Sequence, residues 1–324
     1  MKSKKLIAGS KKNRLILDLG IHPFADTFIE KKRLKRKEPT YPLKVFMCKQ
    51  SGIIQVGNIT RPEDRYNLYD YSYTSGNSEY SRGHWENFCK DVIKNTKINK
   101  CKVYEIGSND GFLLSNFKKF GHSVMGIDAS KFMVNIANKK KIPTVQEIFT
   151  NKSSKLILEK YGKGDIIIAN NVLNHSNDPN NFIKGVFNLL DKNGTFIFEL
   201  PYWLNTVKSG KFDQIYHEHV TYFTIFMAFN ILKKNNFQIT KIEQNEYHGG
   251  SIRVYSKKSS KPKINDKIKN YINNEKKSGI FNNKIYDKIS KFIVQKKNKT
   301  IKQIQQYKSK GYIIAGIGAA AKAN

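Results

Sequence analysis

Apolar residues recur along the chain in two rhythms, and the rhythm changes divide it into three parts. Residues 1–83 contain short alternating runs, RLILDLG, PLKVFMC and GIIQVG, interrupted by Pro23, Pro39 and Pro42. Such runs predict a small β-rich lobe, followed by a tyrosine-rich loop. Residues 84–256 alternate strand-like and helix-like patterns, which predicts a doubly wound α/β domain. Strands are expected at 103–106, 122–128, 143–145, 165–169, 195–200 and 248–255, with helices near 111–117, 132–138 and 182–190 and a turn at Asn193-Gly194. The unbroken run DIIIA at 165–169 predicts a strand buried on both faces. In residues 257–310, Ile264, Ile268, Tyr271 and Ile272, and then Ile285, Ile289, Phe292 and Ile293, fall on helix faces. The final GYIIAGIGAAAKAN reads as a new strand running into a glycine-rich turn, the start of a further α/β unit.

The stretch CKVYEIGSNDG, residues 101–111, sets the chemistry. A strand entering a glycine turn and then a helix brings backbone amides close to a ligand. Dinucleotides and S-adenosylmethionine both use such a turn, and both carry a ribose that a carboxylate ~20 residues on can hold. Asp128 stands at that distance and does not discriminate. Where the dinucleotide pattern G-x-G-x-x-G wants its second glycine, the chain has Asn109. Glu105 and Asp110 would repel a pyrophosphate but suit an ammonium and a sulfonium. The loop therefore favours a methyl donor, held by Glu105, Gly107, Asn109, Asp110, Asp128 and Asn170.

Composition modifies this little. The 324 residues include 58 Lys and Arg against 26 Asp and Glu, a formal charge of +32. A nucleic-acid footprint should be clustered and arginine-bearing, whereas this excess is mostly lysine, spread along the chain beside heavy Asn and Ile use. Neither nucleic acid nor membrane is expected as a partner, though a basic surface would attract an anionic substrate. Cys48, Cys89 and Cys101 lack the spacing of a disulfide framework, which fits a reducing cytoplasm. The basic start lacks an apolar core of signal-peptide length, and no run approaches the ~20 apolar residues of a membrane span.

Three further stretches carry candidate chemistry. Cys48-Lys-Gln-Ser51-Gly52 has zinc-knuckle spacing with serine in place of the second thiolate, so zinc is not expected. YNLYDYSYTSGNSEY, residues 66–80, suits a loop that covers a ligand or packs between lobes. FDQIYHEHVTYF, residues 212–223, gathers two histidines, a glutamate and aromatics; chelation by His217 and His219 lacks a third ligand beyond Glu218, so no metal site is expected. The DIIIA strand delivers Asn170 and Asn171 to the carboxyl edge of the sheet, where α/β ligands bind, with His175 just beyond.

Taken together, EIGSNDGFLL, NNVLNHSND, FELPYW, YHEHVTYF, HGGSIRVY and GIGAAAKAN resemble the S-adenosylmethionine-dependent sugar C-methyltransferases, in that family's order and over nearly the whole chain. The resemblance implies a zinc-binding amino-terminal lobe, a Rossmann-like class I methyltransferase core and a second α/β domain at the carboxy terminus. Two departures stand out. Cys48 alone corresponds to a four-cysteine site, and the last domain is nearly absent, as in a truncated or split gene. The expected organisation is a lobe at 1–83, a core at 84–256, and a helical segment opening an incomplete α/β domain at 257–324.

The resemblance also implies roles. A ketone-flanked carbon becomes a nucleophile by losing a proton, which requires a base and donors for the enolate oxygen. His219 is expected as base, with His217 as rival, and Tyr216 and Glu218 position substrate and base. Asn171, His175, His248, Gly249, Arg253 and either Tyr71 or Tyr73 are expected at a nucleotide-linked keto-deoxysugar. Rival readings are a noncatalytic or regulatory remnant that binds S-adenosylmethionine, and an NAD-dependent nucleotide-sugar oxidoreductase. The missing G-x-G-x-x-G and Tyr-x-x-x-Lys count against the latter. The sugar, the nucleotide and the oligomeric state are not encoded legibly.

Overall fold

The structure, a computed structural model, describes residues 13–25, 35, 37–57 and 74–317. Two sheets organise them. In the first, β1 (Asn13–His22), β2 (Tyr41–Cys48) and β3 (Ile54–Val56) form an antiparallel meander. Its fourth strand, β9 (Thr221–Tyr222), comes from far along the chain and pairs Ile54 with Tyr222. Gln55 donates from Nε2 to Thr221 Oγ1 at 2.9 Å, so the lobe and the YHEH segment share one buried ladder.

The larger sheet contains β4 (Lys102–Ile106), β5 (Ser123–Asp128), β6 (Thr144–Gln146), β7 (Gly164–Ile168), β8 (Leu190–Pro201), β10 (Phe237–Asn245) and β11 (Ser251–Lys258). Their order is β10-β11-β8-β7-β4-β5-β6. Strands β6, β5, β4, β7 and β8 run parallel, and β11 lies antiparallel to both neighbours. The parallel crossovers are α2 (Phe112–Lys119), α3 (Lys131–Lys139), α4 (Asn151–Tyr161) and α5 (Pro179–Leu189). Preceding them, α1 (Glu79–Thr96) is capped by the Ser78 side chain and buries Trp85, Phe88 and Val92. This helix crosses the boundary expected at residue 83. The architecture is the Rossmann-like α/β core with a β-rich amino-terminal lobe that the sequence predicts.

Local differences have local causes. The expected turn at Asn193-Gly194 lies inside β8, because Leu190 pairs with Gly164 and Thr195 with Ile166, leaving the residues between to bulge from the ladder. The expected strand at 248–255 begins only at Ser251. His248, Gly249 and Gly250 have φ of 50°, 80° and 114°, a left-handed backbone that ends a ladder. The strand expected after Gly311 does not form in the described part: residues 312–317 have no regular structure, and Ile313 is 96% exposed. An extended segment needs a pairing edge, and the preceding helix offers it none. The glycine turn expected beyond it lies outside the described residues.

After β8 come α6 (Trp203–Lys208) and α7 (Ile225–Lys234), and after β11 come α8 (Asp266–Lys277) and α9 (Asn283–Ser309). The last two dock through buried polar contacts. Glu275 of α8 accepts from the backbone of Ile225 at 2.5 Å and of Phe226 at 2.9 Å, closing the amino end of α7, and from the Tyr202 hydroxyl at 2.9 Å. The Trp203 indole donates to the Tyr286 hydroxyl at 2.9 Å. Among the described residues no helix is long and apolar enough to cross a membrane.

Candidate functional site

The β4–α2 loop is shaped by left-handed residues: Gly107, Asn109 and Gly111 have φ of 72°, 51° and 76°. Glycine is required at 107 for space as well as conformation, since a Cβ there would lie 2.8 Å from the Val172 side chain. The loop is tied to β5 by bonds from Gly107 N to Ile127 O, 2.7 Å, and from Asn109 N to Asp128 Oδ2, 2.8 Å. The other Asp128 oxygen accepts from Ser130 N at 2.8 Å. Burial raises the Asp128 carboxyl above its ordinary pKa despite these two amides.

Beside this loop lies a cleft of about 260 Å³. Gly107, Asn109, Asp128, Asn171 and His175 are among the residues of its wall. Glu105 stands behind it, fully buried. Its carboxyl is pushed well above the carboxylate range, first by burial and then by the charges of Asp110 and Asp128. Asp110 is itself paired with Lys140 at 2.8 Å.

Several buried polar atoms here have no hydrogen-bond partner: Glu105 Oε2, both side-chain atoms of Asn170, both of Asn174, Asn171 Oδ1 and the Trp85 indole nitrogen. Register puts Glu105 beside Ile168, so Asn170, two residues on, projects from the same face of the sheet. Unpaired groups of this kind are costly without a ligand. A carboxyl and two amides offer acceptors to an ammonium, and an indole and the same amides offer donors to a carboxylate. These donors and acceptors are of the kind that the amino-acid end of S-adenosylmethionine would complete, and Asp128 lines the cleft.

The YHEH segment is a turn and not a strand, so its two histidines part instead of sharing a face. His219 Nδ1 faces the Gln214 carbonyl at 2.9 Å, and because a carbonyl only accepts, Nδ1 carries the proton. Nε2 then presents its lone pair to the Tyr216 hydroxyl, 2.9 Å away. The His219 ring meets the edge of the His175 ring, with centroids 5.2 Å apart, which joins the segment to the cleft wall. Glu218 is buried in the same turn. His217 points the other way: Nε2 reaches the Tyr41 carbonyl at 3.2 Å, the ring packs on Phe24 and Tyr41, and burial lowers its pKa.

The expected substrate set is only partly brought together. His248 and Gly249 lie in the β10–β11 turn, off the cleft. Tyr71 and Tyr73 lie outside the described residues. Arg253 is turned inward: its side chain is 6% exposed and bound to Glu199 at 2.7 Å and Asp91 at 3.1 Å, over the Phe88 ring. Glu199 also takes His84 Nε2 at 2.5 Å and the Asn245 amide at 2.9 Å. Burial pushes Glu199 up, but the His84 hydrogen bond and the Arg253 charge outweigh it and hold the carboxyl below its ordinary pKa. His84 stacks on Tyr247 with centroids 3.8 Å apart, and the Glu199 carbonyl accepts from Asn171 N at 2.9 Å. The sequence reading missed this network. Its one signal was a lone carboxylate in the apolar strand TFIFEL.

For metal, the lobe offers a poor donor set. Cys48 is buried at the end of β2, its backbone closing a tight turn with Gly52 and Ile53. His22 Nε2 already donates to the Leu19 carbonyl at 2.7 Å. One thiol in this lobe does not fit a tetrahedral thiolate zinc site. Among the described residues no group of three or more His, Cys, Asp or Glu side chains is placed to hold an ion.

Comparison with known families matches residues 81–242 to a methyltransferase domain, residues 6–66 to a putative zinc binding domain and residues 246–324 to a C-methyltransferase C-terminal domain. The chain is 23% identical over 310 residues to the C-methyltransferase NovU of Streptomyces niveus, covering 95% of this chain and 73% of that one. It is 29% identical over 174 residues to the ubiquinone biosynthesis O-methyltransferase of Pelagibacter ubique (strain HTCC1062), covering 48% and 71%. Among solved structures, the magnesium protoporphyrin IX methyltransferase of Synechocystis PCC 6803 with bound SAM aligns at 17% identity and a TM-score of 0.42, covering 55% of this chain and 79% of that one.

Proposed function

Because the chain belongs to the methyltransferase-domain family, whose match spans half of it, we propose that it methylates a carbon next to the ketone of a nucleotide-linked deoxysugar. The observation that carries this reading is the arrangement of His219, its Nδ1 on the Gln214 carbonyl, its Nε2 at the Tyr216 hydroxyl and its ring against His175 at the cleft wall. The carbon next to a ketone becomes a nucleophile only by losing its proton, so methylating it requires a base, which the pair of His219 and Tyr216 can supply. When bound, S-adenosylmethionine supplies an electrophilic methyl group.

The chain's residues would then act as follows. The Tyr216 oxygen takes the α-proton of the ketone as its own proton passes to His219 Nε2, and the C–H electron pair becomes the enolate. The imidazolium so formed keeps its Nδ1–H on Gln214. Asn171 and His175, on the cleft wall, supply hydrogen bonds where the enolate charge gathers. Glu218, buried in the same turn, would favour the imidazolium if ionised. His217 anchors the turn to the lobe.

The test is a product analysis. Incubation with S-adenosylmethionine and a panel of thymidine-diphosphate keto sugars is expected to give one C-methylated sugar, located by NMR. A product methylated on oxygen, or none from any keto sugar while S-adenosylhomocysteine binds, would overturn the assignment.

A further inference from the structure

Beyond the cleft, the β10–β11 turn and the segment after β8 enclose two adjoining grooves, each of about 490 Å³, that share Asn205 and Gln244. Their shape depends on two glycines. A Cβ on Gly249 would overlap the Lys211 ammonium, and a Cβ on Gly250 would overlap the Asn205 amide nitrogen. The glycines thus form a floor across which a charged and a neutral donor lie. Lys211 is half-buried, and neither side chain has a hydrogen-bond or ion-pair partner among the described residues. Lys208 and Lys277 line the adjoining groove, and Glu246, exposed at the rim, is the single carboxylate lining either.

We propose that this groove is an anion subsite that takes the diphosphate of the nucleotide-linked substrate, an inference that rests on the sugar-methylation reading. Clustered donors in a concave site, outnumbering the one carboxylate at its rim, are what a phosphate group completes. The groove also connects to the reacting end. Gln214 N donates to Lys211 O at 3.1 Å, and the Gln214 carbonyl holds His219. One short loop therefore carries the anion contact at its start and orients the imidazole at its end.

The experiment is calorimetric titration of the full chain with inorganic pyrophosphate, at an ionic strength that suppresses diffuse attraction to a basic surface. The Lys211→Ala variant is expected to bind about tenfold or more weakly, the effect of one charge-assisted hydrogen bond. Lys269→Ala removes the same charge from an exposed helix position paired with Asp266, and should leave affinity within about twofold. Affinity for S-adenosylhomocysteine should be the same in all three proteins. Equal effects of the two lysine variants, no effect of either, or displacement of pyrophosphate by S-adenosylhomocysteine would overturn the subsite. Pyrophosphate binding involves no methyl transfer, so Lys211-dependent binding in a protein that methylates no keto sugar would support the subsite and defeat the sugar reading instead.

Discussion

Glu199 stands in an apolar strand because three neighbours complete it: Arg253 across the ladder, His84 from α1 and Asn245 from β10. Removing it would leave a buried guanidinium to Asp91, whose side chain is half exposed, and to Glu243 at 3.7 Å. Glu199→Ala should destabilise the protein by about 3–5 kcal/mol, measured by urea unfolding. Arg253→Met added to it should recover most of that loss, because the buried charge goes with it; no recovery would mean that the carboxylate matters through His84 instead. Residues whose placement depends on a local pattern were legible in sequence. Gly107 is where the chain turns tightly, Asp128 closes a strand, and His219 sits in a dense polar-aromatic run. Arg253 and His84 were not legible, since their roles come from cross-strand register and helix placement, to which a single sequence gives no access.

Elements show the same division. The β4-loop-α2 unit was readable because the apolar run, the glycines and the helix are contiguous. Helix α1 went unread because EYSRGHWENF has no clean apolar period, and its helix depends on the Ser78 cap and on packing under the sheet. The attachment of α8 to α7 by Glu275 was equally hidden, as it joins residues 50 apart. Burial raises that carboxyl to about 7, more than the Ile225, Phe226 and Tyr202 donors lower it. With a folded pKa above the unfolded value, the native state holds this proton more tightly. Its stabilising contribution is complete below the unfolded pKa of about 4.5 and is lost as pH rises through about 7. Against a Glu275→Gln variant, whose amide does not titrate, the wild type should lose on the order of 3 kcal/mol of unfolding free energy between pH 5 and pH 8. A pH-independent difference between the two proteins would show that the three donors hold the carboxylate ionised.

At the scale of the molecule, the site exists because distant segments close on one another. Strand β9 leaves the core to complete the sheet of the lobe, and the same segment fixes His217 on Tyr41 and His219 at the cleft. The lobe thereby helps to hold the YHEH segment in place. The central claim is that His219, through Tyr216, deprotonates the carbon next to a ketone. It is tested most directly by α-proton exchange of a thymidine-diphosphate keto sugar in deuterated water, with S-adenosylhomocysteine filling the cofactor position. Wild type should exchange the proton. His219→Asn and Tyr216→Phe should each slow exchange by about 10²- to 10⁴-fold, while His217→Asn exchanges at nearly the wild-type rate and all bind S-adenosylhomocysteine. Undiminished exchange in His219→Asn would contradict the account.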